Sequence, residues 1–138
     1  RYIKRVIGLP GDLIQLRDRQ VWVNGQALQR QAPTPEGTVT EGIGERHWQV
    51  QWAEPLADAR PPPDLPLLNR ARTAPVTELQ LTVPDGQVFV LGDHRLLSTD
   101  SRNFGTVPMQ DMLGRARQVW FSSDSQGVRW ERLGLVLE

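Results

Sequence analysis

Residues 88–108 read VFVLGDHRLLSTDSRNFGTVP, and they limit what this chain can fold into more than any other stretch. Val88, Phe89 and Val90 are three strand formers in a row, stopped by Gly92 and Asp93. That order predicts a buried strand ending in a turn. Two Arg, two Asp and two Ser then crowd between Asp93 and Arg102, and Gly105 closes the segment. Polar side chains this dense behind a core strand predict a hydrogen-bonded platform at the rim of a sheet, where a solvated loop would be the ordinary alternative.

Short strands and frequent turns run through most of the chain. Residues 2–7 form a strand candidate with Tyr2, Ile3, Val6 and Ile7 around Lys4 and Arg5, broken by Gly8-Leu9-Pro10-Gly11-Asp12. Leu13, Ile14 and Leu16 mark a second strand and residues 20–23 a third, with Asn24-Gly25 as a hairpin turn. Leu79, Leu81 and Val83 alternate before Pro84-Asp85-Gly86 turns into Val88. Val107-Pro108 leads into a single helical turn over 109–113. Residues 114–122 predict another strand, residues 122–127 a turn, and residues 128–137 either a last strand or a short helix. Helical periodicity is nearly absent, so the expected class is all-β.

Residues 30–80 differ. Eight of the eleven prolines fall between Pro33 and Pro75. Within that region only His47 to Trp52 alternates like a strand, with Trp48, Val50 and Trp52 on one face. The region lacks the apolar content for its own core. It reads as a peripheral loop excursion from a single domain spanning 1–138, partly extended in polyproline conformation and of little consequence for the chemistry.

The 138 residues suffice for one core, and 38% are hydrophobic. Net charge is zero and no basic stripe appears, which argues against a nucleic-acid partner. There is no cysteine, and His47 and His94 stand apart from any ligand cluster, so neither thiol chemistry nor a metal is expected. No apolar run is long enough to span a membrane. Among the 16 basic residues Lys4 is the only lysine. A lysine amine can lose its proton near neutral pH when desolvated, whereas a guanidinium effectively cannot. A lone lysine in an arginine-rich chain therefore points to a chemical role for Lys4.

Two stretches resemble a known family. GDHRLLSTDSRNFGTVP is similar to the G-D-N-R-x-x-S-x-D-S-R-x-x-G-x-V-P box of bacterial type I signal peptidases, and RYIKRVIGLPGD to their lysine box, K-R-x-x-G-L-P-G-D. VPDGQVFVLGD and MLGRARQVW resemble family phrasing as well, and the boxes lie in the family order. The resemblance implies a β-rich, folded-sheet or barrel-like catalytic core. It implies a serine endopeptidase that removes signal peptides from exported pre-proteins after small residues such as A-x-A, without a cofactor. In that chemistry a serine attacks the scissile carbonyl and a neutral lysine takes its proton.

Carried over residue by residue, Lys4 is the general base and Ser98 the hydroxyl that orients its amine. Asp100 and Arg102, two apart on what reads as an extended segment, pair in support. Asp93 and Arg5 tie the two boxes together. Tyr2 and Ile3 flank the base and line shallow substrate pockets, with ordinary core packing as their alternative. An extended signal peptide would add as a strand to a sheet edge. The resemblance further implies a membrane anchor and a serine-bearing box upstream of Arg1, and hence a fragment inactive alone. The implied setting is the outer face of the bacterial cytoplasmic membrane.

Two departures stand out. His94 occupies the usual Asn position of the box, and no serine of this chain lies in a serine box. Two other functions fit the same residues: a soluble, self-cleaving Ser–Lys peptidase, and a non-catalytic β-module that binds extended peptides.

Overall fold

Strand β1 (Arg5–Gly8) begins one residue after Lys4 and ends in the turn at Leu9–Asp12. That turn is built by Asp12. Its carboxylate accepts from the Leu9 N–H and from the Asn24 side chain, both at 2.8 Å, and Gly11 takes a φ of 86° that suits only glycine well. Strands β2 (Leu13–Arg17) and β3 (Gln20–Val23) form a hairpin, and Asn24 and Gly25 follow with φ of 52° and 78° before β4 (Gln26–Ala27). Both positive values match the Asn-Gly turn expected here. Then come β5 (Gln29–Arg30), β6 (Thr38–Ile43), β7 (Arg46–Gln51), β8 (Glu78–Thr82) and β9 (Gln87–Leu91). One short helix, α1 (Ser101–Phe104), precedes β10 (Val107–Pro108), and β11 (Ser123–Asp124) and β12 (Gly127–Val128) make a small hairpin. The computed structural model describes residues 1–18, 20–35, 37–52, 78–124 and 127–137.

Antiparallel pairing arranges these strands into sheets ordered β4-β3-β2-β8, β1-β9-β10, β5-β6-β7 and β11-β12. The all-β class expected from the sequence holds. Alternation sets the core. Ile14 and Leu16 of β2, Val21 and Val23 of β3, and Phe89 and Leu91 of β9 bury together with Leu28 and Val83. Leu79 and Leu81 pack against them from β8, and Ile43 and Trp48 from the β6–β7 hairpin. Val88 and Val90 are buried too but stand outside that cluster. Strand β9 is thus covered on both faces, as its unbroken apolar run requires.

Several expectations are corrected. The first strand starts at Arg5 and not at Tyr2, so Lys4 precedes the ladder. Residues 101–104 are helical where an extended segment was expected. Asp100 is the N-cap, accepting from the Arg102 N–H, and Asn103 accepts from the Asp100 N–H, a reciprocal capping box. Residues 114–122 form no named strand; an isolated bridge joins Gln118 to Val136, with backbone hydrogen bonds from Val119 to Leu135, Gly134 to Val119 and Leu137 to Arg117 around it. Trp120 is 83% exposed and its ring lies 6.1 Å from that of its neighbour Phe121, itself 55% exposed, so the apolar side chains that suggest a strand join no buried core among the described residues. Single turns of 3-10 helix occupy Met109–Asp111 and Trp130–Arg132.

The expected loop excursion divides in two. Residues 53–77, with most of the prolines, lie outside the described residues. Residues 38–51 form a regular hairpin of two six-residue strands, one strand more than the alternation of His47 to Trp52 indicated. Its end is tied to the polar box: the Gln51 N–H donates to the Asp93 carbonyl at 2.7 Å, and the Arg95 N–H donates to the Gln51 carbonyl at 2.9 Å.

Gly8 sits where the β1–β9 register shifts. A Cβ there would stand 2.7 Å from Ile14 Cδ1 and 3.2 Å from Phe89 Cβ, both on fully buried side chains. Gly8→Ala should therefore destabilise the fold by about 1–3 kcal/mol through overpacking. A lower urea midpoint at unchanged slope would show it.

Candidate active site

The site is assembled where β9 ends. The Lys4 side chain reaches across from the N-terminal segment, and its Nζ donates to Ser98 Oγ at 2.7 Å. Both lie directly over Gly92. A Cβ on Gly92 would fall 1.9 Å from Ser98 Oγ and 3.3 Å from Lys4 Nζ. No other residue type leaves room for the contact, so Gly92 belongs to the site although it has no side chain. The sequence marks it only as the turn glycine before Asp93.

Ser98 is held by the turn that follows. Its N–H donates to the His94 carbonyl at 3.0 Å. That contact is made by backbone and uses no side-chain atom of His94. Below it lies Asp100, fully buried. Its carboxylate accepts from the Gly92 N–H at 2.9 Å, from the Arg102 N–H at 3.2 Å, and from Arg102 Nε and Nη2 at 2.8 Å each. Ser101 accepts from the Val90 N–H at 2.9 Å, fixing α1 against β9. The structure thus brings Asp100, buried, and Arg102, part-buried, together as a bidentate pair, through a helix cap and not through extended backbone.

Arg5 and Asp93 also meet, with Nε–Oδ1 and Nη2–Oδ2 both at 2.8 Å. This pair is half-exposed and is worth at most about 1 kcal/mol. The Arg5 guanidinium lies 5.4 Å from the Trp48 ring centroid, which adds the β6–β7 hairpin to the same junction. Tyr2 and Ile3 are 78% and 88% exposed, so neither is a core residue. The Tyr2 ring centroid stands 5.9 Å from Lys4 Nζ.

A second buried pair, not anticipated from sequence, backs the turn. Arg95 and Glu41 are both buried and joined through Nε and Nη2. Arg95 Nη1 donates to the Gly92 carbonyl at 3.0 Å. Glu41 also accepts from the Trp52 indole N–H at 3.2 Å and pairs with Arg30 at 3.3 Å. Glu41 gives no local sequence signal, because its partner lies 54 residues away.

The electrostatics follow from this packing. Burial lowers the Lys4 pKa from the ordinary 10.5, Asp100 opposes that, and Arg102 adds to the lowering. For Asp100 burial alone would raise the pKa from its ordinary 3.8. The hydrogen bond and charge of Arg102, with the N–H groups of Gly92 and Arg102, outweigh it and hold the carboxyl below that value. An amine eased toward its neutral form beside an oriented hydroxyl can take a proton from an attacking nucleophile. Among the described residues no three metal-ligating side chains converge.

Asp100→Asn should cost about 2–3 kcal/mol, since it removes the charge that holds the part-buried Arg102 and weakens the hydrogen bonds at a fully buried position. The wild-type contribution is present above the ordinary Asp value and is lost as pH falls through the lowered folded value. Urea titrations of wild type and variant should therefore converge toward acid pH.

Comparison with known proteins gives a consistent result. The family described as "Signal peptidase, peptidase S26" matches residues 1–121. Signal peptidase I of Rickettsia typhi is 37% identical over 130 residues, taking in 89% of this chain and 47% of the relative. That of Rickettsia prowazekii is 38% identical over 128 residues, with the same coverage of 89% and 47%. The chain thus spans about half the length of the curated relatives it matches. A crystal structure of a signal peptidase I from Enterococcus faecalis is 27% identical, with a TM-score of 0.43, over 82% of this chain and 80% of that one. On the match over residues 1–121 and on these relatives, the chain belongs to the signal peptidase (peptidase S26) family.

Proposed function

We propose that this chain is the base-bearing part of a serine endopeptidase that removes N-terminal signal peptides from exported pre-proteins, cutting after small residues. The observation that carries the reading is the 2.7 Å contact of Lys4 Nζ with Ser98 Oγ over Gly92, at an amine whose pKa is lowered by burial. A neutral lysine amine keeps N–H donors and one lone pair. Donation to Ser98 fixes the amine and leaves the lone pair free to accept the proton of the attacking serine. Ser98 itself is the orienting hydroxyl, and the nucleophile is a serine outside these residues.

Substrate would bind alongside β1. That strand is an edge of its sheet, with β9 on one side only, and Tyr2 and Ile3 project exposed beside the base. An extended peptide adding to this edge would bring its small residues past Tyr2 and Ile3 toward Lys4. Family membership supports a working place on the outer face of the bacterial cytoplasmic membrane, reached through an anchor outside these residues. No helix among the described residues is long and apolar enough to cross a membrane.

In the enzyme with its serine present, Lys4→Arg should abolish turnover with the fold retained, because guanidinium stays charged and cannot accept a proton. Ser98→Ala should lower kcat/KM by a factor on the order of 10²–10³, as for a misplaced general base. The wild-type kcat/KM should rise with pH through an apparent pKa below that of free lysine, since only the unprotonated amine works. Near-normal activity of Lys4→Arg would end the Ser–Lys reading. The purified 138-residue chain should not cleave an A-x-A substrate, and cleavage abolished by Ser98→Ala would make Ser98 the nucleophile instead.

A further inference from the structure

We propose that Glu41 is a positioning residue for the Lys4–Ser98 pair, acting through Arg95 and the Gly92 carbonyl; this rests on the Ser–Lys reading above. Glu41 lies on β6, in a segment whose composition marks it as peripheral. Its side chain is only 1% exposed and Arg95 only 2%. A buried carboxylate is costly unless paired, so this one has a partner to hold. Its buried partner is the Arg95 guanidinium, whose Nε and Nη2 face Glu41 while Nη1 donates to Gly92 at 3.0 Å; Arg30, part-exposed, and the Trp52 indole meet the same carboxylate as well.

Gly92 is the residue on which Lys4 and Ser98 rest. Its carbonyl is gripped by Arg95, its N–H by Asp100, and its Cα has no room for a substituent. The same turn presents the His94 carbonyl to the Ser98 N–H. A guanidinium pinned by Glu41 on two nitrogens has one way to aim the third. Without the carboxylate, Arg95 is free to rotate off the Gly92 carbonyl, and the floor under the amine loosens. The charges that shift Lys4 most are those of Asp100 and Arg102, so the route open to Glu41 is through geometry.

That distinction sets the sign of the test. Lys4 is the only lysine, so lysine labelled at the side-chain nitrogen gives one NMR signal whose titration can be followed in the 138-residue chain itself. Loosening Gly92 lets water reach the amine, so Glu41→Gln should raise the Lys4 pKa toward the free value, by about half a unit or more. A field effect would do the opposite, because an unpaired Arg95 cation lowers a neighbouring amine. A purely structural role would lower thermal stability and leave the titration where it is.

The paired variant Glu41→Leu with Arg95→Met separates stability from positioning. It removes the two buried charges at similar volume, which commonly preserves stability. Arg30, which loses the same carboxylate, is part-exposed and keeps its place over the Trp52 ring. Yet the paired variant cannot restore the grip on Gly92. It should fold as wild type does and still show the raised titration. In the enzyme with its serine, kcat should fall on the order of ten- to a hundred-fold at unchanged KM. A Lys4 titration unchanged or lowered in Glu41→Gln, or wild-type in the paired variant, overturns the proposal. If Glu41→Gln does not fold, the paired variant decides alone. The titration is blind to whether Lys4 is a base. Failure of the Ser–Lys reading would show instead as activity surviving Lys4→Arg.

Discussion

The peptide groups of Gly92 are held on both sides by ion pairs, and the site depends on that constraint. Asp100, charged and paired with Arg102, takes the N–H. Arg95, paired with Glu41, takes the carbonyl. A strand end at a sheet rim would ordinarily leave these groups to water. Here each is fixed by a side chain that is itself fixed by a second charge. Such pairs are weak sources of net stability, because desolvating two charges offsets most of their attraction. What they supply is a single geometry. Breaking either by removing one partner leaves a buried or part-buried charge unpaired at a cost of about 2–5 kcal/mol, so alternative arrangements of the turn are disfavoured.

Most of the strand framework was legible in the sequence because local pattern and burial agree. Ile14 and Leu16, and Leu79 and Leu81, alternate in the chain and do so in the structure. Asn24-Gly25 predicted its turn from backbone chemistry alone. The failures have physical causes. Residues 114–122 carry strand formers, but strand propensity expresses packing against a covered face, and Trp120 and Phe121 lie exposed beside each other. The helix after Asp100 was missed although Asp100 and Asn103 stand at capping-box spacing, because four residues are too short to show periodicity. That spacing was the signal available.

The candidate site was legible in part. Lys4, Ser98, Asp100 and Arg102 stand in recognisable order, and the structure brings their side chains together. Gly92 was visible only as a turn. Its importance is steric, and a missing side chain has no chemistry to announce. Glu41 was invisible for another reason. An acidic residue between threonine and glycine in a proline-rich region reads as solvated surface, and only the pairing of β6 with β7 and the return of the chain to Arg95 bury it. Contacts across 54 residues leave no local trace.

The electrostatic setting of Lys4 lowers its pKa without a deep apolar pocket. Ile3 and Tyr2 are largely exposed, so they do not enclose the amine. Burial against Gly92 and Ser98 opposes the protonated form, and a bare carboxylate as close as Asp100 would undo that by favouring the cation. Arg102, lying on the carboxylate, acts in the opposite direction and offsets part of this effect. The result is an acidic side chain that can cap a helix and hold Gly92 without acting on Lys4 as a full charge. The fold gives up some stability for this: a depressed lysine pKa means the folded state disfavours a proton that the unfolded chain keeps. That deficit is present below the folded value and disappears only as pH rises toward 10.5. A surface lysine in salt-bridge range of Asp100, lacking Arg102, would be more stable and a poorer base. The arrangement seen here trades in the opposite direction, as expected at a site kept for chemistry.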